Sequence, residues 1–473
     1  MTRSKQIFLS IAFQGLAEAV NKILPFVVLH FVLLRIGAAG YGYADFSFRI
    51  VDLLLPFVVF GYLHVGVIEL GSAADDHIEN EKIVSEVLCL KIFHALIMMA
   101  VLWGLVTLIP SYRSYAPIAL PLGFLILTTA FDMSWVHIGQ RKMISSAMIT
   151  IGAKLVSLVA ILVLVKDESD ILLFSLIFFG ANGLISVGTF AYTAKRLKLR
   201  MPTLQNLKKR FVVSLPYSLL ALWTYLLARY DLYIVESQFD AETYGLYSGA
   251  KRIVISLGAL VASLQLVFLA EVVNSKSRED LTSIVNLAVW AGMLVVLPIS
   301  VGAWTVDNDL MAFVLTEGFR SAGTQFSILT LGILFQMLIT TYASQVLFAE
   351  RKISTLNYFH MVVIASGIGL SYWFSRIFGV EGAAAANTLV LFFGAILAMA
   401  LASKYLDKQN ISEFFSLVLA SVIMALGILI VQSLGINSFV IKIIVGAAIY
   451  VAAVLVLNRM KFMRIYSKLT GRD

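Results

Sequence analysis

The stretch YGYADFSFRIVDLL at residues 41–54 is repeated, with substitutions, as YGLYSGAKRIVISL at residues 244–257. Both copies begin with Tyr-Gly and place an arginine before Ile-Val, so that Arg49 and Arg252 are separated by 203 residues (252 − 49). A charge at membrane depth costs roughly 2.5–3.5 kcal/mol on insertion scales and usually faces a partner or a cavity. Because both copies lie in long apolar segments, the duplication predicts a two-lobed membrane transporter with a cationic cavity between its lobes.

The composition excludes a soluble globular protein. The chain has 473 residues, of which 60% are hydrophobic and only 14% charged, and its mean hydropathy is +0.91. Apolar stretches of about 20 residues, the length that crosses a bilayer as a helix, recur from end to end. The alternation typical of a transmembrane β-barrel is absent from the sequence. The lone Cys89 excludes an intramolecular disulfide and indicates no metal site.

Flanking charges predict the topology. Hydropathy indicates about 14 transmembrane helices, and the lysines and arginines concentrate on one side of the membrane that these helices would span. That side carries the first residues, the linker at 195–210 and the tail at 459–472. Since such loops remain in the cytoplasm, we expect both termini to be cytoplasmic. The net charge of +8 then mostly reflects the basic loops that fix the orientation in the membrane, and no nucleic-acid partner is expected.

The basic linker also predicts the domain organisation, because it follows about six predicted helices. We expect an N-terminal six-helix lobe at 1–200, a C-terminal six-helix lobe at 201–403, and a further helix pair with a basic tail at 404–473. An even number of helices in the first lobe means that both lobes enter the membrane from the same side. The two lobes should therefore be parallel repeats, related by an axis along the membrane normal.

The first helix carries a polar stripe that contains Glu18 and Lys22, one turn apart on one face. The two side chains can form a local ion pair, which would lower the cost of insertion. Alternatively they line a wet cavity, which a polar stripe requires. On the second interpretation Lys22 is a candidate substrate contact and Glu18 a candidate site for a coupling ion.

Asp45, Arg49 and Asp52 lie at positions i, i+4 and i+7, on one face of the second predicted helix. Either the two aspartates neutralise Arg49, which is then structural, or they hold it at a cavity where it binds an anion. Asp52 is also a candidate ion-coupling residue. In the second copy Ser248 and Ile255 replace the aspartates. The charge of Arg252 therefore has no acidic partner at the matching positions of its own helix.

Arg252 is accordingly the strongest candidate for a substrate contact, and Lys251 beside it adds a second charge. Arg229, in the seventh predicted helix, and Lys154, near the middle of the fifth, are further candidates because neither can easily reach the membrane surface. Asp132 can bind a cation or proton, or can cap a contact between helices; both interpretations stand.

The balance of these buried charges favours an anionic cargo. The positive candidates are Lys22, Arg49, Lys154, Arg229, Lys251 and Arg252. Guanidinium groups match the geometry of phosphate and pyrophosphate oxygens. The sequence contains no Walker A motif, zinc-ligand spacing or nucleophile triad. We therefore expect a transporter rather than an enzyme, with no cofactor.

Three motifs carry a resemblance to a known family: GAAGYG at 37–42, a turn after the first helix, FDMSWVHIGQRK at 131–142, and YGLYSGAK at 244–251. Together with the predicted helix count, they resemble the polysaccharide-transporter family. Its members include O-antigen flippases of the Wzx type, within the multidrug/oligosaccharidyl-lipid/polysaccharide exporter superfamily. The superfamily's lipid II flippases have essential cations on the first, second and eighth helices, where Lys22, Arg49 and Arg252 lie here.

Two features depart from the family pattern: a lysine stands at the first of those positions, where arginine is usual, and the eighth helix lacks a proline near its end. The resemblance implies a multi-pass protein of the bacterial inner membrane. It would move an undecaprenyl-pyrophosphate-linked oligosaccharide, such as an O-antigen unit, by alternating access. Na+ or H+ is the expected coupling ion if transport is ion-driven, and a polysaccharide polymerase and a chain-length regulator are expected partners.

Two other functions remain open. A cation-coupled multidrug antiporter of the same superfamily would depend on acidic rather than basic cavity residues. A membrane glycosyltransferase or polymerase would need large loops with catalytic carboxylates, and the longest outer loop in this sequence, about 307–322, is short.

Overall fold

A computed structural model describes residues 3–73, 76–140, 143–407, 412–436 and 438–458. Within these ranges it describes all side chains except those of 3–19, 21–23, 64, 143, 270 and 412–413. This part of the chain is all-helical, with 89% helix and no strand.

The described α-helices are, in order, α1 (Arg3–Asp52), α2 (Leu55–Val59), α3 (Tyr62–Ser72), α4 (His77–Leu108), α5 (Ala116–Leu122), α6 (Phe124–Ala130), α7 (Ser134–Gly139), α8 (Met143–Leu164), α9 (Ile171–Ala194), α10 (Leu204–Leu227), α11 (Tyr230–Gln238), α12 (Ala241–Val273), α13 (Arg278–Val314), α14 (Gly323–Ile339), α15 (Val346–Ala349), α16 (Ile353–Ala402), α17 (Ser412–Ser433) and α18 (Phe439–Leu457). Short 3-10 helices precede α5, α9 and α14, and a π-helical turn at Thr340–Gln345 joins α14 to α15.

Many of these helices can cross a membrane. In the described residues, 11 are long and apolar enough to span one, or up to 12 if a bent pair counts as one span. That pair, Pro110–Leu122 with Phe124–Gly139, bends by 42°. The expectation of an all-helical, multi-pass membrane protein is therefore confirmed.

The two longest helices are interrupted by glycine. Both α1 and α16 contain 50 residues, and a straight helix of that length would extend about 75 Å, more than twice the roughly 30 Å hydrocarbon layer. The backbone leaves the helical region at Gly37 (φ 65°) and at Gly379 (φ 69°), a conformation that glycine adopts readily. The turn expected over 37–42 is thus a kink at Gly37 alone.

A second type of break separates α2 from α3. Phe60 (φ 46°) and Gly61 (φ 68°) both adopt left-handed conformations there. A Cβ at Gly61 would lie 2.7 Å from the Ser218 backbone nitrogen of α10. The position therefore requires glycine both for its backbone angle and for the close approach of α10.

Contacts divide the chain into two units. The first contains Met1–Leu227 and Asp240–Gly245, and the second contains Ala228–Phe239 and Leu246–Asp473. In the first unit, Trp135 and Tyr62 belong to a buried apolar cluster with residues of α4. In the second unit, α17 and α18 pack against α13 through a cluster that includes Trp290. The expected boundaries at residues 200 and 403 stay predictions.

Asp240 begins the segment that re-enters the first unit. Its carboxylate accepts a hydrogen bond from the Thr243 backbone nitrogen at 2.8 Å. This bond, together with one from the Thr243 side chain, lowers the pKa of the Asp240 carboxyl. The same arrangement caps the start of α12, which carries the second Tyr-Gly motif.

Candidate functional site

Arg49 forms a buried ion cluster within α1. Its Nε and Nη2 donate to Asp45 Oδ2 and Oδ1 at 3.2 and 3.1 Å, and its Nη1 donates to Asp52 Oδ2 at 3.0 Å. Arg49 is 7% exposed and Asp45 is fully buried. The i, i+4, i+7 spacing read from the sequence thus places both carboxylates on one guanidinium, in the bidentate geometry that arginine favours.

Two tyrosines from distant segments complete this cluster. Tyr244 donates its hydroxyl hydrogen to Asp45 Oδ2 at 2.9 Å, and Tyr225 donates to Asp52 Oδ2 at 3.0 Å. These bonds satisfy carboxylate oxygens that burial would otherwise leave costly. The cluster therefore holds helices together in the first unit, as in the structural interpretation of Arg49, and the role of Arg49 as a substrate contact stays a prediction.

The two Tyr-Gly motifs pack against one another. A Cβ on Gly42 would lie 2.0 Å from the Ala241 carbonyl oxygen, and one on Gly245 would lie 2.0 Å from the Ala38 carbonyl oxygen. No side chain fits at either position, because real Cβ contacts essentially never approach so closely. The glycine of each motif copy therefore permits the backbones of α1 and α12 to touch, and packing explains this part of the sequence repeat.

The second unit contains a different buried ion cluster, centred on Asp231 of α11. Lys251 of α12 donates to Asp231 Oδ2 at 2.7 Å and to Asn387 Oδ1 at 3.3 Å. Tyr247 donates its hydroxyl hydrogen to the same Asp231 oxygen at 2.6 Å. Asp231 is fully buried and Lys251 is 5% exposed. The buried cation of this cluster is therefore Lys251, not its neighbour Arg252.

Unpaired polar atoms surround this second cluster. The Tyr230 side chain adjoins those of Ser371 and Asn387. Of the described buried side chains, four in this region have an atom without a hydrogen bond of normal geometry: Tyr230 Oη, Asp231 Oδ1, Ser371 Oγ and Asn387 Nδ2. Buried polar atoms without such a bond are uncommon in folded proteins.

Three of the predicted cationic contacts are half-buried: Arg252, Arg229 and Lys154. Arg252 follows Lys251 in α12, and Arg229 lies at the break between α10 and α11. Lys154 of α8 donates to Asn182 Oδ1 of α9 at 3.1 Å. These residues keep part of their surface accessible, in contrast to Arg49 and Lys251.

Asp132 lies at the bend between α6 and α7. Its Oδ1 accepts from the Ser134 backbone nitrogen at 3.1 Å and from the Ser134 hydroxyl at 2.6 Å. Its backbone carbonyl accepts from Lys91 Nζ at 2.9 Å, and Lys91 is only 3% exposed. The carboxylate thus closes a local turn ahead of α7, and its role in binding a coupling ion stays a prediction.

The predicted pair of Glu18 and Lys22 lies in α1, but both side chains fall outside the part of the chain that the structure describes. Among the described residues, no group of three or more His, Cys, Asp or Glu side chains could hold a metal ion.

Sequence reasoning overlooked how the basic linker is attached. Arg210 at the start of α10 forms ion pairs with Glu69 of α3 and with Glu86 of α4, the latter at 2.8 Å. Arg200 pairs with Glu81 at 2.9 Å. The acidic residues near the start of α4 could have predicted this attachment, because a basic linker pairs favourably with acidic side chains.

These observations define the class: an all-helical, multi-pass membrane protein whose buried charges are arranged in separate helical clusters. The family model for "Polysaccharide biosynthesis protein" matches residues 9–270, more than half of the chain. The protein belongs to this polysaccharide biosynthesis family, which confirms the family expected from the motifs. No curated protein matches the sequence.

Solved structures share the fold. The lipid II flippase MurJ, in an inward closed conformation, aligns with a TM-score of 0.78 and 17% identity, covering 96% of this chain and 100% of its own. An inward-facing multidrug resistance MATE transporter of the MOP superfamily aligns with a TM-score of 0.64 and 12% identity, covering 84% and 97%. A MOP superfamily transporter from Pyrococcus furiosus gives a TM-score of 0.57 and 12% identity, covering 85% and 94%. At these identities the similarity establishes the fold alone.

Proposed function

We propose that this protein is a flippase in the bacterial inner membrane. Its cargo would be an undecaprenyl-pyrophosphate-linked oligosaccharide, such as the repeat unit of an O-antigen or a related surface polysaccharide. The observation that carries the proposal is the family match over residues 9–270, on a fold shared with a protein named as a lipid II flippase. Membership in a polysaccharide biosynthesis family and a transporter fold together support a lipid-linked glycan as the cargo.

The proposed topology has 14 spans. Up to 12 candidate spans lie in the part of the chain that the structure describes, and counting each 50-residue helix as two spans, because of the kinks at Gly37 and Gly379, gives 14. An even number places both termini on one side, and the positive charges favour the cytoplasm. Lobes at 1–200 and 201–403, with the segment 404–473 added, remain part of this proposal.

The pyrophosphate would bind through a cationic cavity in which Arg252 is the principal contact. Arg252, Arg229 and Lys154 are half-buried and keep part of their surface accessible, whereas Arg49 and Lys251 are buried. A guanidinium can donate two parallel hydrogen bonds to phosphate oxygens, so Arg252 and Arg229 suit this role better than a lysine does. Lys22 completes the proposed set.

Transport would proceed by alternating access. The headgroup would enter from one face, the protein would close that face and open the other, and the prenyl tail would stay in lipid throughout. The proposed energy source is a Na+ or H+ gradient acting at Glu18, Asp52 or Asp132. At Asp52 a coupling ion would compete with Arg49 and Tyr225 for the carboxylate. A polymerase and a chain-length regulator are the proposed downstream partners.

A cation-coupled multidrug antiporter is the second candidate, because MATE transporters share the fold. The family match to polysaccharide biosynthesis proteins and the excess of cationic candidates both favour the flippase. An antiporter would confer drug resistance on expression and would lose activity when its acidic residues, rather than Arg252, are replaced.

The decisive experiment replaces Arg252 by alanine in the native host and measures surface glycan by gel and lectin staining. We expect loss of surface glycan and accumulation of the lipid-linked unit, with an unchanged amount of protein in the membrane. Arg252→Lys should retain part of the export because the charge remains, although the fork is lost. Lys276→Ala, at an exposed loop position, is the matched control. Normal export by Arg252→Ala would overturn the assignment of this residue, and drug resistance without any effect on glycan would favour the antiporter.

A further inference from the structure

The span that contains α14 and α15 changes its winding at the π-helical turn Thr340–Gln345. The turn lies inside a candidate membrane span of 33 residues, Glu317–Ala349. Hydrogen bonds in a π-helix join residues i and i+5, so the turn contains one residue more than an α-helical turn does. Such turns are rare and occur frequently at functional sites. The span therefore carries one extra residue at a defined place.

The same place in the first unit is a break between α6 and α7. Four residues near it recur 210 positions later in the chain (344 − 134): Ser134, Val136, Arg141 and Lys142 correspond to Ser344, Val346, Arg351 and Lys352. At this separation residues 131–133, which separate α6 from α7, correspond to 341–343 in the π-helical turn. The helix is thus interrupted at matching positions of the two repeats, completely in the first and by one extra residue in the second.

Three buried side chains hold the π-helical turn against α12. Thr341 Oγ1 donates a hydrogen bond to Gln265 Oε1 of α12 at 2.8 Å. Gln345 Nε2 donates to the backbone carbonyl oxygen of Gln265, also at 2.8 Å. All three residues are at most 3% exposed, and hydrogen bonds are stronger where water is excluded. These bonds therefore stabilise the π-helical winding.

Gln265 also contacts α13, which makes it the centre of this network. Its Nε2 donates to the Ala288 carbonyl oxygen at 3.2 Å. Gly292, one turn further along α13, leaves room for the amide, because a Cβ there would lie 2.8 Å from Gln265 Nε2. The network is incomplete, since Gln345 Oε1 has no hydrogen bond within the described part of the chain. A buried acceptor without a partner is unfavourable, so the network does not fix the π-helical winding completely.

We propose that the π-helical turn is a switch: the span alternates between the winding seen here and a regular α-helix, and Gln265 stabilises the first form. In the second form the extra residue passes through α15 to the loop that follows, where Arg351 has a left-handed φ of 56°. Helix α15 then rotates by about 100° and moves by about 1.5 Å, the increments of one α-helical residue. Helix shifts of this size are a known means of conformational change. The inference goes beyond the proposed function, because it involves none of the proposed cargo contacts.

The rotation exposes one buried side chain of α15. In the regular form each residue of α15 moves to the place that the next residue occupies in this structure. Leu347, which is 1% exposed, then takes the half-buried place of Phe348. Val346 takes the buried place of Leu347 and stays inaccessible. Since Glu350 at this end of the helix is exposed, a water-soluble maleimide should reach a cysteine at position 347, but not one at 346, when the switch moves.

The test measures the rate of maleimide labelling of Leu347→Cys and Val346→Cys, each made in the full-length protein together with Cys89→Ser. Gln265→Met removes the amide and keeps the length of the side chain. It should raise the labelling rate of Leu347→Cys by about tenfold and leave Val346→Cys slow. Gln432→Met, which removes an amide from an exposed position of α17, is the control and should change neither rate. An unchanged rate for Leu347→Cys, or an equal increase for both cysteines, would overturn the proposal, because the latter indicates general loosening.

Deletion of Thr340 removes the extra residue itself. The Thr340 side chain bonds the Gln336 carbonyl oxygen of its own helix at 2.9 Å, so its loss leaves the bonds of Gln265 in place. The span can then wind as a regular α-helix while α15 keeps its present position. We expect the deletion protein to melt near the wild-type temperature, and Gln265→Met to accelerate the labelling of Leu347→Cys no longer. Acceleration that persists would contradict the switch. A deletion protein that fails to fold would also do so, because the regular winding would then be inaccessible.

Discussion

Gly42 and Gly245 lie backbone against backbone: a Cβ added to Gly42 would stand 2.9 Å from the Gly245 backbone nitrogen. These glycines occupy the same place in the two copies of the Tyr-Gly motif. Tyr244, which precedes Gly245, binds Asp45 and thereby joins the second motif to the ion cluster of the first. The repeat therefore has two parts: the glycines are needed for close packing of the two backbones, and the arginines stand at matching positions.

Alanine at Gly245 should strongly reduce the stability of the protein, because its Cβ would collide with the Ala38 carbonyl oxygen at 2.0 Å. Neither backbone can move away without disrupting its helix. Gly258→Ala in the same helix is the matched control, since nothing lies within 4 Å of a Cβ there. It should be neutral or stabilising by about 0.5–1 kcal/mol. The measurement is detergent-solubilised thermal stability, and equal melting temperatures for the two variants would contradict the packing argument.

Asp45→Ala should destabilise the first unit by roughly 3–5 kcal/mol, the usual cost of removing one partner of a buried ion pair. Arg49 and the Tyr244 hydroxyl would both lose a bond. Arg49 keeps Asp52 as a partner in this variant. The double variant Asp45→Ala/Arg49→Met also takes the arginine away from Asp52, so it should be less stable than Asp45→Ala. As a control, Glu79→Ala breaks the exposed Lys82–Glu79 pair and should cost at most about 1 kcal/mol. Thermal unfolding of the four proteins gives the comparison, and a double variant as stable as Asp45→Ala would show that Asp52 does not need Arg49 for compensation.

Tyr247→Phe should destabilise the second unit by roughly 1.5–3 kcal/mol, because the hydroxyl donates to the buried Asp231 carboxylate at 2.6 Å. The lost donor leaves Lys251 as the partner of that oxygen. Tyr358 is 66% exposed, so Tyr358→Phe should have little effect on stability. Melting temperatures of the two variants would test this, and a larger loss in Tyr358→Phe would show that Asp231 does not depend on the tyrosine.

Arg210→Ala should loosen the attachment of the basic linker, because one guanidinium joins Glu69 and Glu86 to the start of α10. We expect trypsin to cleave the 195–209 segment faster in this variant than in the wild type. Lys208→Ala removes an exposed neighbouring charge and should leave the remaining cleavage rates nearly unchanged. Limited proteolysis followed by mass spectrometry measures both, and an unchanged rate in Arg210→Ala would show that the ion pairs do not restrain the linker.

Much of the architecture could be predicted from local sequence. The membrane helices follow from apolar length, and Asp45, Arg49 and Asp52 were placed on one face by their spacing alone. The glycines at 37–42 predicted a turn, because glycine lowers helix propensity. In the structure the segment stays helical except for the kink at Gly37, because packing outweighs this weak local preference. The pairing of Lys251 with Asp231 could not be anticipated, because those residues meet only once α11 and α12 pack.

The sequence by itself determined an all-helical membrane protein of the polysaccharide biosynthesis family, because span length, charge placement and motif order are local properties of the chain. The tertiary structure decided what each buried charge touches. Tyr244 reaches Asp45 across 199 residues, and Lys251 reaches Asn387 across 136. Such partners depend on which helix faces are brought together, and no local pattern carries that information.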